Sequence, residues 1–247
     1  MNRRPIRYIA VAALGLVSCA GVASAQRAPE PSASVPVSTV PDGVTTGGAA
    51  YQAIRVLVAR SKKLNKTGWM EAATTFRPGH GLTYTVLREG GDQRIRNRVL
   101  REVLDNEVKM STPPQATRIA ISDANYQILG DATGRTLRLA PRRKETTLID
   151  GTAQVDARGR LQKIEGRLAK SPSFWVRSVT VRRTYQAVGG HALPVRVESV
   201  ADVKLAGSCE FSMWIDYTIV DGISVERAAT RPSLSGSEPS HLLIALH

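Results

Sequence analysis

Four histidines, at 80, 191, 241 and 247, are the side chains best suited to proton transfer or metal ligation near neutral pH, and their spacing supports neither. No pair forms His-x-x-x-His, and the two cysteines, Cys19 and Cys209, are far apart and form no Cys-x-x-Cys. Paired glycines at Gly47, Gly90 and Gly189 lie outside any G-x-G-x-x-G or Walker pattern, and no G-x-S-x-G elbow is present. His191 stands in "VGGHALP", a turn leading into a strand, where an exposed turn residue is expected rather than a base. Asp150, Asp156 and Glu165 fall on predicted strands or turns, and spacing alone neither pairs them for acid–base work nor separates them. The expectation is a non-catalytic protein with no cofactor and no metal site. A hydrolase whose triad is assembled by the fold from distant residues is the weaker alternative.

The remaining reactive candidate is Cys209, which lies in an alternating apolar pattern with no neighbouring His or Lys to activate it. It is expected to be a buried small hydrophobe. The chain carries a formal charge of +13, spread along its predicted strands without a nucleic-acid motif. This balance suits an anionic membrane surface or another polyanion, not nucleic acid.

The elements that would position such residues begin after an export signal. Arg3, Arg4 and Arg7 precede a short apolar run, Tyr8 to Val17, too short to span a bilayer, and Ala23-Ser24-Ala25 matches a cleavage site before Gln26. Residues 1–25 are therefore expected to be a signal peptide and the mature protein periplasmic. Leu16-Val17-Ser18-Cys19 also fits a lipobox, so a lipoprotein anchored through Cys19 is the competing expectation. Residues 26–48, rich in Pro, Ser and Thr, are expected to be a disordered tether. Residues 49–64 place Tyr51, Ile54, Leu57 and Val58 at helical spacing and predict an N-terminal helix.

From Gly81 the periodicity changes to strands. Arg94 to Glu107 fits strand or helix, and runs at 124–129, 135–140, 147–155, 160–168, 174–186, 193–205 and 210–219 alternate between turn signals. Such recurrence predicts an antiparallel meander with one buried face, curved within a single domain spanning 49–225, and a C-terminal tail at 226–247. Within "SFWVRSVTVRRTY", Phe174 and Trp175 are expected on opposite faces of a strand. A bulge near Val176 to Ser178 would let that strand swap faces.

Leu139 to Tyr217, with "IDGTAQVD", "IEGRLAKSPSFWVRSV", "HALPVRVES" and "G-x-x-x-F-x-M-x-x-x-Y", resembles a group of uncharacterised secreted bacterial proteins, similar in layout to the Lol-type outer-membrane lipoprotein-sorting carriers. The resemblance implies a mainly β (α+β) fold: a strongly curved antiparallel sheet, or half-open β-barrel, with helices plugging its mouth and an apolar hollow for an acyl chain. On that reading the candidate ligand-lining residues are Val195, Val197, Phe211, Met213, Ile215 and Tyr217. Arg177, Arg182 and Arg183 are the candidate basic rim for an anionic head group. The partner would be a lipid or lipoprotein acyl chain. The alternative is an envelope scaffold with a filled core and a basic face that binds another envelope protein.

Overall fold

The computed structural model describes residues 48–112, 116, 120–131 and 134–226; the expected signal peptide, Cys19, the tether up to Gly47 and the tail from Arg227 lie outside them. The described strands are β1 (Tyr51–Ser61), β2 (Lys66–Arg77), β3 (Gly81–Gly91), β4 (Tyr126–Gly130), β5 (Thr136–Pro141), β6 (Ile149–Val155), β7 (Leu161–Leu168), β8 (Val176–Val188), β9 (His191–Val203), β10 (Gly207–Val220) and β11 (Ile223–Ser224). They form one antiparallel sheet in the order β3-β2-β1-β10-β9-β8-β7-β6-β5-β4, with β11 added to β10. The sheet curls without closing, because β3 and β4 are its two edges.

Between those edges the chain runs as a helix. It starts as α1 (Gln93–Ile95), widens to a π-helical stretch (Arg96–Leu100) and continues as α2 (Arg101–Met110). Ile95, Val99, Leu100, Val103 and Leu104 face inward and share one hydrophobic core with the concave side of the sheet. The segment whose pattern fitted strand or helix is thus helical, and its apolar face at i, i+4, i+5, i+8 and i+9 covers the open side of the curl.

Curvature comes from interrupted pairing and from missing side chains. Register shifts fall at Gln52/Ala53, Glu71/Ala72, Gln154/Val155, Val176/Ser178 and Thr184/Tyr185, each adding local twist. The shift at Val176/Ser178 is the bulge expected there, and it puts Val176 and Val179 on the same buried face. Gly151 and Gly166 face each other across β6 and β7 so closely that a Cβ on Gly151 would lie 2.0 Å from the Glu165 carbonyl oxygen.

Four expectations need correction. Of residues 49–64, Tyr51–Ser61 form strand β1, not a helix. Tyr51, Ala53, Leu57 and Ala59 point into the hollow while Val56 and Val58 pack on the other face, so apolar residues on both sides hid the period of two. The strands begin before Gly81, since β2 occupies Lys66–Arg77. Phe174 and Trp175 stand in the turn before β8, not on it: Ser173 accepts the Val176 amide at 3.1 Å, and Phe174 is 77% exposed. Leu205 lies in the β9–β10 turn and is also exposed, although the alternation placed it with the core.

Candidate functional site

The concave face is built by side chains of one parity from neighbouring strands. Val197, Met213, Leu57 and Met70 stand opposite one another across β9, β10, β1 and β2. Phe211 pairs with Ala59, Ile215 with Arg55 and Tyr217 with Ala53. All six candidate lining residues belong to the core that the helix covers, each no more than 8% exposed. Val195 is the extra residue of the bulge opposite Thr184/Tyr185, so it also borders the convex side.

Within this apolar core lies a polar group that the sequence reading missed. Arg55 on β1 is fully buried, and its guanidinium donates to Glu107 Oε2 on α2 at 2.5 Å and to the Tyr51 hydroxyl at 2.9 Å. Tyr51 stacks on Phe76 and meets Tyr217 edge-on, and Tyr217 donates to the Pro194 carbonyl at 2.9 Å. Burial disfavours the charge on Arg55, but the Glu107 carboxylate and the Tyr51 and Tyr217 phenols outweigh it and hold the group above its ordinary value. Burial pushes the Glu107 carboxyl up, opposed by Arg55 and Arg183. One buried ion pair therefore fastens the covering helix to the concave face of the sheet. The signal was available: Arg55 shares parity with Tyr51, Ala53, Leu57 and Ala59, and a strand reading would have put it inside.

The three arginines expected at a basic rim do not converge. Arg183 turns inward, donating to the Tyr185 hydroxyl at 3.1 Å and acting electrostatically on Glu107 and Tyr126. Its neighbour Arg182 faces outward and donates to Glu165 at 2.9 Å. Arg177 is exposed beside Asp202, 3.4 Å away.

On the convex side Lys163, Arg182, Thr184, Val195, Arg196, Glu198 and Trp214 border an open groove of about 490 Å³. Trp214 lines it, with the Arg196 guanidinium 5.3 Å above the ring, a cation–π contact. Arg196 also pairs with Glu198 at 2.8 Å.

The other groups considered for chemistry are held in structural roles. His191 Nε2 meets Asp221 Oδ2 at 2.7 Å, and Asp221 also accepts the Ala50 amide, which ties the β8–β9 hairpin to the start of β1. Asp150 pairs with Arg138, Asp156 with Arg160, and Glu165 with Lys163 and Arg182. Cys209 is buried and free. Among the described residues no three His, Cys, Asp or Glu side chains gather as a metal site, and no helix is long and apolar enough to cross a membrane.

No family model matches the chain, and no curated protein matches it. Among solved structures the chain is similar to a LolA superfamily protein from Nitrosomonas europaea, with 10% identity and a TM-score of 0.40, over 71% of this chain and 88% of that one.

Proposed function

We propose that the protein is a non-catalytic envelope carrier that holds the acyl chain of a lipid or lipoprotein between the concave face and the helix. The observation that supports this is the polar fastening of an apolar cover. Val197, Phe211, Met213, Ile215 and Tyr217 present a continuous apolar floor, yet the helix above it is fixed through Arg55 and Glu107. A buried ion pair is seldom the most stable way to join two such surfaces, and well-packed apolar residues often do as well or better by about 1–4 kcal/mol. The helix also buries Val99, Leu100, Val103 and Leu104 in that core, so lifting it frees apolar surface for an acyl chain while the two parted charges gain hydration. Each methylene of an acyl chain taking the helix's place would return about 0.8 kcal/mol.

The test is uptake. Full-length protein should bind a fluorescent fatty acid saturably, and native mass spectrometry of protein from its own envelope should show bound lipid. Met213→Trp, which fills the hollow, should abolish uptake while leaving a cooperative unfolding transition. No bound lipid and no uptake by the parent protein would overturn the reading.

A second reading, an envelope interaction protein with a filled core, is favoured by one observation. The same lining residues are packed against Val99, Leu100, Val103 and Leu104, while the open groove lies on the convex, basic side at Trp214. In that case Met213→Trp lowers stability, and Trp214→Ala, not Met213→Trp, removes binding to a partner protein.

A further inference from the structure

Three turns meet at one end of the sheet. The β1–β2 turn (62–65) is joined to the β9–β10 turn (204–206) where the Lys62 amide donates to the Ser208 carbonyl at 3.2 Å and Gly207 sits against Lys63. The β7–β8 connection (169–175) joins them through the Lys204 amide, which donates to the Trp175 carbonyl at 2.9 Å. Each turn carries a large exposed apolar side chain at its tip: Leu64, Phe174 and Leu205, with Phe174 the most exposed of them. Phe174 packs edge-on against Trp175, ring centroids 5.7 Å apart, and Lys204 Nζ lies 3.4 Å from the Phe174 ring centre.

The cations around these tips are Lys62, Lys63, Lys170, Arg177 and Lys204, against the carboxylates of Glu210 and Asp202. The end of the sheet thus keeps three positive charges more than it neutralises. Water is a poor neighbour for Phe174, Leu64 and Leu205 together, and scattered lysines alone would need no aromatic. The combination of amphipathic aromatics, leucine tips and lysines matches the boundary of a bilayer, where rings sit at head-group level, short apolar tips enter the acyl edge and ammonium groups meet anionic phosphates. A protein partner would be expected to leave a flatter apolar patch with paired charge, not an unbalanced cationic collar around protruding tips.

We propose that this end of the sheet docks on the surface of an anionic bilayer, with Phe174, Leu64 and Leu205 as the inserted tips and Lys63, Lys170 and Lys204 as the contacts to lipid phosphates. The docking surface is separate from the hollow and holds whether or not the hollow takes an acyl chain.

The test uses the full chain with Cys19→Ser, so that no acyl group is attached there, and with Trp69→Phe and Trp214→Phe, so that Trp175 is the sole tryptophan of three. Vesicles are phosphatidylcholine with or without phosphatidylglycerol. Binding to the anionic vesicles should be quenched at Trp175 by brominated acyl chains and should weaken with salt. Phe174→Ser with Leu205→Ser should lower the partition coefficient at least about tenfold and remove the quenching. Lys63→Glu, Lys170→Glu and Lys204→Glu together should lower binding to anionic vesicles alone. These side chains are exposed, so circular dichroism and the thermal midpoint should stay unchanged. Absence of vesicle binding, bound protein with Trp175 unquenched, or binding indifferent to the Phe174 and Leu205 changes would each overturn the proposal.

Discussion

Arg55 and Glu107 join the floor of the curled sheet to the helix that covers it, at 2.5 Å and out of contact with solvent. Each charge depends on the other, because a lone ion in that apolar site would lose its hydration without compensation. Arg55→Leu or Glu107→Leu alone should therefore cost about 3–5 kcal/mol, while the double change should restore most of the loss. Urea unfolding of the four proteins measures this directly. Simple addition of the two single losses would show that the residues do not act as a pair.

The start of the covering helix is set by Asp92. Its Oδ1 accepts the amides of Arg94 at 2.9 Å and Ile95 at 3.1 Å, and its Oδ2 pairs with Lys66 on β2. Burial works to raise this carboxyl's pKa, but the Lys66 bond and the two amides outweigh burial and hold it below the ordinary carboxylate range. A carboxyl lowered on folding stabilises the protein above its unfolded pKa and loses that contribution as pH falls through its folded one. Asp92→Ala should cost about 1 kcal/mol at neutral pH, as for other helix caps, and the gap to the parent should close in strong acid. Unfolding curves across a pH series test the sign. A gap that widened in acid would contradict it.

Among the strands from β5 onward the period is plainest where one face is exposed. On β6, Ile149, Ala153 and Val155 alternate with exposed Asp150 and Gln154, so the period of two survives in the text. On β10 the inward set Phe211, Met213, Ile215 and Tyr217 could be read off, although Ser212, Trp214 and Asp216 on the other face are buried too. β1 hides its period because it lies inside the sheet, between β2 and β10, with apolar residues on both faces, and the same residues also satisfy a helical spacing. Phe174 misled for the opposite reason: an aromatic pair looks like strand or core, but Pro172 and the serines flanking it make a turn that carries Phe174 into solvent. Glu107 could not be found from sequence at all. Its partner lies 52 positions away, and only the crossing of the helix over β1 brings the two together.

Gly151 and Gly166 stand opposite each other where β6 and β7 leave no room for a Cβ. A methyl on Gly166 would come within 2.3 Å of the Asp150 carbonyl oxygen and 2.6 Å of the Gly151 Cα, so backbone would have to move. Gly151→Ala and Gly166→Ala should each destabilise by about 1–3 kcal/mol or more, as overpacking does elsewhere. Gly190→Ala also replaces a glycine, but nothing lies near its Cβ position and the whole cost there is its positive φ of 85°. That variant should lose about 1 kcal/mol, and thermal midpoints of the three rank them.

Cys209 offers a check on how tightly the β9–β10 end is packed. Burial pushes its thiol up to about 11, and Glu210 and Asp202 add to the effect against a bond from Ser61. With Cys19→Ser in place, Cys209 is the only thiol, and at pH 8 only about one in a thousand folded molecules would carry the reactive thiolate. Modification by a disulfide reagent should therefore be slow in buffer and at least about a hundredfold faster in urea. The sign of the linkage is opposite to that of Asp92. A thiol raised on folding contributes stability that is complete below its unfolded pKa and is lost as pH rises through about 11. Against a Cys209→Ala variant, the parent should lose ground only in that alkaline window. Rapid labelling at pH 8 in buffer would mean that this end of the sheet opens far more readily than its packing implies.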